Sequence, residues 1–291
     1  MKTIATHDGK FHTDEVFAVA ILKQVFPKTK IIRTRNPEEF SKSNFRVDVG
    51  QKYNFPTGDF DHHQNSFAEK RKNKIPYASA GLVWKHFGKK LTKSQRAFDC
   101  IDEKLIQPID ALDSGVQIAL KEIIPNYYIG QVTSSFLPVW NKKSRENYDK
   151  AFEEAVEFAI GLLKREILIA NSIEESEELI KKAISKSKNK NYLVLEENVP
   201  WGNYLSEKTK FKFVVTPNSG GFWDVWVISK SSGSFENRKD LPKKWAGLEN
   251  EKLAEITGVE DAIFCHKNLF IVGAKSKQGA IKLAELALKE K

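Results

Sequence analysis

Gly58-Asp59-Phe60-Asp61-His62-His63-Gln64 is the stretch on which the fold turns. A short strand, Gly58 to Asp61, ends on a carboxylate and is followed by two imidazoles. Two other segments carry the same residue types. His7-Asp8-Gly9-Lys10-Phe11-His12-Thr13-Asp14 lies near the N-terminus, and Val47-Asp48-Val49-Gly50 lies between the two. Four of the six histidines fall in these segments. Imidazole and carboxylate hold divalent metals such as manganese and zinc. A hydrophobic fold alone gives no reason to gather them at strand ends.

Working outward, Thr3-Ile4-Ala5-Thr6 reads as a strand, and Asp14 opens an apolar helix from Glu15 to Val25 with Pro27 just past its end. Ile31-Ile32-Arg33-Thr34 is a second strand and Phe45 to Gly50 a third. Strands alternating with helices predict an α/β domain with a mainly parallel sheet. Ligands gather at the carboxyl ends of strands in such sheets, so one sheet edge can collect His7, Asp48 and Asp61-His62-His63. Helices are expected over residues 79–87 and 92–113, with Pro108 kinking or splitting the second. Asp110 and Asp113 share a face of that helix. Residues 145–188 are mostly helical, with a break near Asn171-Ser172. Phe152, Ala155, Val156, Ala159, Leu162 and Leu163 form a stripe of ordinary core spacing. Beyond a polar linker at 186–191, strands at 192–195, 211–215, 223–228, 262–265 and 269–272, a hairpin turn at Asn218-Ser219-Gly220-Gly221 and a closing helix at 277–289 predict a smaller α+β domain. The expected organisation is 1–143, a helical linker over 144–190, and 191–291.

A chain of 291 residues can bury two cores. No apolar run approaches the roughly 20 residues of a membrane helix, which excludes a helical membrane protein. The first motif begins at His7, leaving no room for a removable leader, and Cys100 and Cys265 lie far apart, as suits a reducing compartment. The protein is expected in the cytoplasm. The net charge is +9, and residues 1–143 carry 23 basic against 15 acidic residues. The positive excess therefore sits with the acidic candidate ligands, where it favours phosphates or a nucleic-acid backbone. The competing reading is a lysine-rich face that only aids solubility.

Two divalent ions about 3.5–4 Å apart can activate a water and stabilise both oxygens in phosphoryl transfer. Asp48, a lone acid in an apolar strand, is the natural bridge, because burying it is costly unless it meets a cation. His7, His12 and Asp48 are expected to hold one ion, and Asp14, Asp48, His62 and Asp113 the other. Taken singly, each has a plainer role: His7 a strand-end histidine, Asp14 a helix N-cap, Asp113 a helix-end residue, with Asp110 as its competitor. His86 reads as surface or packing. Five segments would all have to coincide by chance.

These motifs resemble the DHH phosphoesterase superfamily, and more closely its Myg branch (the melanocyte-proliferating-gene exonuclease family). The resemblance rests on Thr6 through Glu15, Val47-Asp48-Val49-Gly50, Phe60-Asp61-His62-His63-Gln64, Ser79-Ala80-Gly81-Leu82 and residues 110–115. Phe235-Glu236-Asn237-Arg238-Lys239 and Phe264-Cys265-His266 extend it over essentially the whole chain. It implies a doubly wound N-terminal catalytic domain, a smaller C-terminal substrate domain, and a metal-dependent 3′-to-5′ exonuclease acting on RNA. It gives catalytic roles to Asp48, His62 and His63, with His63 facing substrate, and offers Ser79 and His266 as substrate contacts. Much of the superfamily has Asp-x-Asp after the first histidine. His12 stands here in place of the first aspartate, which suits manganese, iron or zinc better than magnesium.

For substrate, Arg33 and Arg35 are expected to meet a phosphate, the basic run from Lys70 to Lys74 to track a backbone, and Arg238 and Lys239 to close over it. Trp201 is a candidate for base stacking, whereas packing is preferred for Trp223 and Trp226. The partner is RNA or a short single-stranded oligonucleotide; a homo-oligomer is compatible with the sequence. Two rival readings stand beside this one: a small-molecule phosphatase or pyrophosphatase with the same centre, and a non-catalytic nucleic-acid binder with a structural metal.

Overall fold

The computed structural model describes residues 1–116 and 127–290. The fold is mixed α/β with two mixed sheets. It divides into two compact units, Met1–Ser172 and Ile173–Lys291. Among the described residues no helix is long and apolar enough to cross a membrane.

The first unit runs β1 (Lys2–Thr6), α1 (Thr13–Val25), β2 (Thr29–Arg33), α2 (Pro37–Phe40), β3 (Phe45–Val47), β4 (Tyr53–Asn54), β5 (Asp59–Phe60), α3 (Ser79–Phe87), α4 (Gln95–Ile101), α5 (Gln107–Asp113) and α6 (Ile129–Ser134). Helix α7 (Arg145–Lys186) begins in this unit. The sheet order is β2-β1-β3-β5-β4. β1 pairs parallel with β2 and β3, and β3 with β5; β4 alone runs antiparallel, at the edge. The carboxyl ends of β1, β3 and β5 therefore lie side by side, and the next residues are His7, Asp48 and Asp61-His62-His63.

Helix α1 is buried from Asp14 to Leu22, as a helix that is apolar nearly all round must be. Its core includes Ile4, Phe45, Val47 and Phe60 from the sheet, Leu82 and Trp84 from α3, and the α7 stripe Phe152, Ala155, Val156, Ala159 and Leu163. The expected helix at 92–113 is divided. A π-helical turn, Asp102–Ile106, lies between α4 and α5, with Gln107 N–H reaching back to Asp102 O, and Pro108 follows it directly; the wider turn precedes the residue that lacks an N–H. The expected break at Asn171-Ser172 does not occur. Asn and Ser lower helix propensity only modestly. The Ser172 hydroxyl donates back to Ile169 O at 2.8 Å, and Asn171 Oδ1 accepts from Lys93 N–H at 2.8 Å. The third strand stops at Val47, earlier than Gly50, because Asp48 turns into the left-handed region at φ 54°.

The second unit holds the end of α7, β6 (Tyr192–Val194), α8 (Gly202–Lys208), β7 (Phe213–Pro217), β8 (Trp223–Val227), α9 (Asn250–Thr257), β9 (Ala262–Cys265), β10 (Ile271–Ala274) and α10 (Lys277–Lys289). Its sheet order is β6-β7-β8-β10-β9, with only the β6–β7 pair parallel. Alternation along β7 sends Phe213 and Val215 into one core with Trp245, Leu253 and Leu283, and Val214 into another with Ile180, Leu193 and Leu205. At the β7–β8 hairpin Asn218 Oδ1 accepts from Gly220 and Phe222 N–H.

The join between α3 and α5 is sterically exact enough to test. Gly81 N–H donates to Asp110 Oδ1 at 2.9 Å, and a Cβ on Gly81 would lie 1.8 Å from Asp110 Oδ2. That same oxygen accepts from Arg71 Nη1 at 2.7 Å in a buried ion pair. Alanine for glycine inside a helix normally gains about 1 kcal/mol. Here Gly81→Ala is expected to lose about 3 kcal/mol, the scale of a broken buried pair, read as a lower urea midpoint.

Candidate metal centre

Each ligand-bearing side chain is set by its local backbone. His7 leaves the end of β1 and is 3% exposed. Its Nε2 lies 3.0 Å from Glu15 Oε1 and 3.3 Å from Asp48 Oδ2, while Nδ1 faces the Asp8 carbonyl at 3.1 Å. His12 is the N-cap of α1, and its backbone N–H donates to Glu15 Oε1 at 2.8 Å. Asp14 is thus inside the first turn, not at the cap, and is fully buried beside the helix N-terminus. The left-handed backbone at Asp48 is tolerable for Asp, whose short polar side chain suits that region.

His62 Nε2 lies 3.1 Å from Asp113 Oδ2, 3.6 Å from Asp48 Oδ1 and 3.9 Å from Asp14 Oδ2. His63 Nδ1 lies between Asp48 Oδ1 at 3.2 Å and Asp61 Oδ1 at 2.9 Å. Asp61 is itself pinned by the N–H groups of Gln51 (2.7 Å) and His63 (3.0 Å). The Ser79 hydroxyl donates to Asp48 Oδ1 at 3.3 Å, and Ser79 N–H to Asp14 Oδ2 at 3.3 Å. Three overlapping groups result, with ligand atoms in each within 4.8 Å of one another: His7, His12, Glu15 and Asp48; Asp48, His62 and His63; and His12, Asp14 and Asp113. They border an open cleft of about 740 Å³ that Arg35 also lines.

The other expected residues are placed differently. Asp110 is fully buried against Arg71 and Gly81, whereas Asp113, one helical turn on, reaches His62. Arg33 is buried; Nη1 pairs with Asp149 at 3.0 Å and Nη2 donates to Gly9 O at 2.8 Å, with the guanidinium over Phe152. With its guanidinium beside Phe11 and Phe152 and its hydrogen bonds made to Asp149 and Gly9, Arg33 is turned into the unit and does not present itself to a phosphate as expected. Arg35 is exposed, with Nε 3.5 Å from Asp8. In the second unit Arg238 donates to the carbonyls of Phe211, Leu205 and Ser206, and Lys239 to that of Glu290. His266 Nδ1 accepts from Asn268 N–H, and its ring lies 4.3 Å from that of Phe270. Trp226 contacts Trp201 and Phe270, and His86 stacks on Phe55.

The MYG1_exonuc family model, described as "Uncharacterised protein family (UPF0160)", matches residues 3–288. The chain belongs to the MYG1 family. It is 33% identical to the MYG1 protein of Dictyostelium discoideum, over 97% of this chain and 95% of that one. It is 31% identical to a MYG1 protein of Saccharomyces cerevisiae (99% and 96% covered) and 28% to the MYG1 exonuclease of Mus musculus (99% and 85%). A crystal structure of an uncharacterized protein from Helicobacter pylori G27 aligns over 99% of this chain and 100% of that chain at 12% identity with a TM-score of 0.27, too low to support a structural argument.

Electrostatics in this MYG1-family chain ask for cations. Burial, then the charges of Asp48, Glu15 and Asp113, push the Asp14 carboxyl well above the usual carboxylate range. Burial also opposes charge on Asp48, but hydrogen bonds to His63 and His7 outweigh it and hold its carboxyl below that range. Burial opposes charge on His7 too; bonds to Asp48 and Glu15 still raise it to about 10. The Asp48 bond, partly offset by burial, raises His63 to about 9. Asp14 Oδ1, Glu15 Oε2 and His62 Nε2 are buried without any hydrogen-bond partner. Native folds rarely leave such atoms unsatisfied. The nitrogen and oxygen donor set fits divalent ions of the manganese, iron and zinc kind.

Glu15 is the site residue that sequence reading missed. An acid in the first turn of a helix already has a reason to be there, the dipole, so its second role left no separate mark. Asp61, read as part of the triplet but not given a task, holds His63.

Metal-free, His7 and His63 gain protons relative to the unfolded chain. Their contribution to stability is complete below about pH 6.5 and fades as pH rises through about 9 to 10. A cation held by His7 Nε2 must displace the proton there. Manganese affinity is therefore expected to rise between pH 6 and 9, by up to about tenfold per unit for each proton released. Calorimetry in buffers of different ionisation enthalpy measures that proton count, and a count of zero would contradict this electrostatic picture.

Proposed function

We propose that this protein is a metal-dependent phosphodiester hydrolase, a 3′-to-5′ exonuclease on RNA or short single-stranded nucleic acid, acting in the cytoplasm. The observation that carries the reading is Asp48: one carboxylate, at the end of a central parallel strand, reached by His7 on one oxygen and by His62, His63 and Ser79 on the other. The relatives named MYG1 exonuclease support it.

His7, His12, Glu15 and Asp48 would hold one ion, and Asp14, Asp48, His62 and Asp113 a second, of which manganese suits the donors best. Bound there, two such ions supply Lewis acidity toward a phosphate and a water. The protein's residues do the rest. Ser79 and the left-handed backbone fix the orientation of Asp48. Asp61 and Asp48 engage His63 Nδ1, which leaves Nε2 as the nitrogen for substrate; at 57% side-chain exposure it can reach one. Arg35, at the rim of the same cleft, offers a planar cation to a phosphate. In the hydrolysis a water oxygen bonds to phosphorus, the P–O3′ bond breaks, and the departing oxygen takes a proton.

We read the first unit as the doubly wound catalytic domain of the DHH type and assign substrate binding to the second, with Lys239 and His266 as its contacts. Arg238, tied to three carbonyls, shapes that unit instead.

The test is a double variant, Asp48→Ala with His62→Ala. It is expected to be inert on 5′-labelled single-stranded RNA with manganese while still unfolding cooperatively. Undiminished cleavage would remove the reading. A Glu15→Gln variant is expected to weaken manganese binding by roughly 10- to 100-fold, measured by titration.

A further inference from the structure

Beside the candidate centre lies a second hollow, of about 270 Å³, formed where α6 packs near α5 and the start of α1. His12, Leu112 and Asp113 line both this hollow and the cleft, so the two adjoin. We propose that the hollow is a base subsite: it seats one nucleobase of the ester whose phosphate lies in the cleft. The inference rests on the hydrolase reading and adds that the substrate must carry a base next to the bond that breaks.

Size, wall chemistry and charge agree on such a ligand. The volume falls below the roughly 300–1,000 Å³ of sites that enclose whole drug-sized ligands, so it takes a ring system and not a complete nucleotide. Ile109, Leu112 and Ile129 give apolar walls, and Tyr128 adds an aromatic one. Such surfaces favour a flat group with a π-face and tolerate any base. Asp113 at the shared mouth disfavours a phosphate or carboxylate inside, while His12 and the cleft beyond it are where anionic oxygens are wanted. Leu112 is a large apolar side chain at 36% exposure beside an acidic cleft, a placement that covering by a base would rationalise. The start of α6 at the rim is held locally: Gln131 Oε1 accepts from Tyr128 N–H at 2.8 Å, and Thr133 donates to Ile129 O within the helix at 2.9 Å. A preformed hollow loses less entropy when it fills.

The experiment compares adenosine 5′-monophosphate with ribose 5-phosphate, which has an anomeric hydroxyl in place of the base, by calorimetry on the manganese-loaded protein. Base stacking on an aromatic wall corresponds to roughly 5- to 150-fold in affinity, so the nucleotide is expected to bind at least about tenfold tighter. Two variants fill the hollow from exposed positions: Ser134→Trp, on the side away from the centre, and Leu112→Trp at the mouth. Both are expected to collapse the ratio of the two affinities towards one. Equal binding of the two ligands by the unaltered protein, or a ratio that survives in both variants, overturns the subsite. Cleavage of 5′-labelled single-stranded RNA by the same samples judges the hydrolase reading separately. Turnover without base preference sinks the subsite alone. Base preference without turnover sinks hydrolysis and leaves the subsite standing.

Discussion

The structure depends on how it tolerates a crowd of carboxylates around Asp48. Asp14 and Glu15 are wholly buried, Asp48 nearly so, and Asp113 is close by. Two like charges about 4 Å apart repel by roughly 4 kcal/mol at the effective dielectric that suits protein sites. Glu15 with Asp48, and Asp14 with Asp113, have oxygens within 4.8 Å. Two such pairs would cancel much of a stability of about 5–15 kcal/mol. Metal-free, the fold answers with protons: Asp14 resists ionisation, and His7 and His63 hold their protons far above the ordinary imidazole range. Protons are a weaker answer than divalent cations, since they leave Asp14 Oδ1, Glu15 Oε2 and His62 Nε2 unsatisfied.

The rest of the first unit reads as support for that crowd. Parallel pairing of β1, β3 and β5 delivers three strand ends to one edge. The N-terminus of α1 contributes a partial positive charge beside Asp14 and Glu15. The buried Arg71–Asp110 pair, fixed against Gly81, seats α5 so that Asp113 meets His62. Asp110 and Asp113 show how one helical turn separates two fates: one carboxylate is neutralised by a permanent partner, and the other faces the place where a removable partner would sit.

Much of this was legible because strand-end histidines and aspartates have no packing reason to recur. The parallel sheet, the convergence at its edge and the α7 stripe follow from alternation and spacing. What was not legible depended on where side chains turn. Arg33 and Arg35 are two residues apart and chemically alike, yet one is held between Phe11 and Phe152 and the other lines the cleft; only the tertiary position of those rings decides it. The two-residue β4 is too short to show alternation. The early end of β3 is a backbone event at Asp48, and nothing in Val-Asp-Val-Gly distinguishes an extended Asp from a left-handed one. Asn171-Ser172 looked like a break because the partner of Asn171, Lys93, lies far away in sequence, while Ser172 turns its hydroxyl back on Ile169 within its own helix.

The site is also polarised, and the polarity bears on how a substrate would approach. Its inner wall is Asp14, Glu15, Asp48 and His7, all buried and held by the sheet and α1. Its outer wall is His12 and His63, both exposed, with Arg35 at the rim. A rigid anionic interior suits the holding of cations, because those ligands cannot relax away from one another. An outer wall of imidazoles and a guanidinium suits an anion arriving from solvent. The same division sets His12 at the exposed cap of α1, where it brings a ligand atom to both neighbouring groups without adding a negative charge.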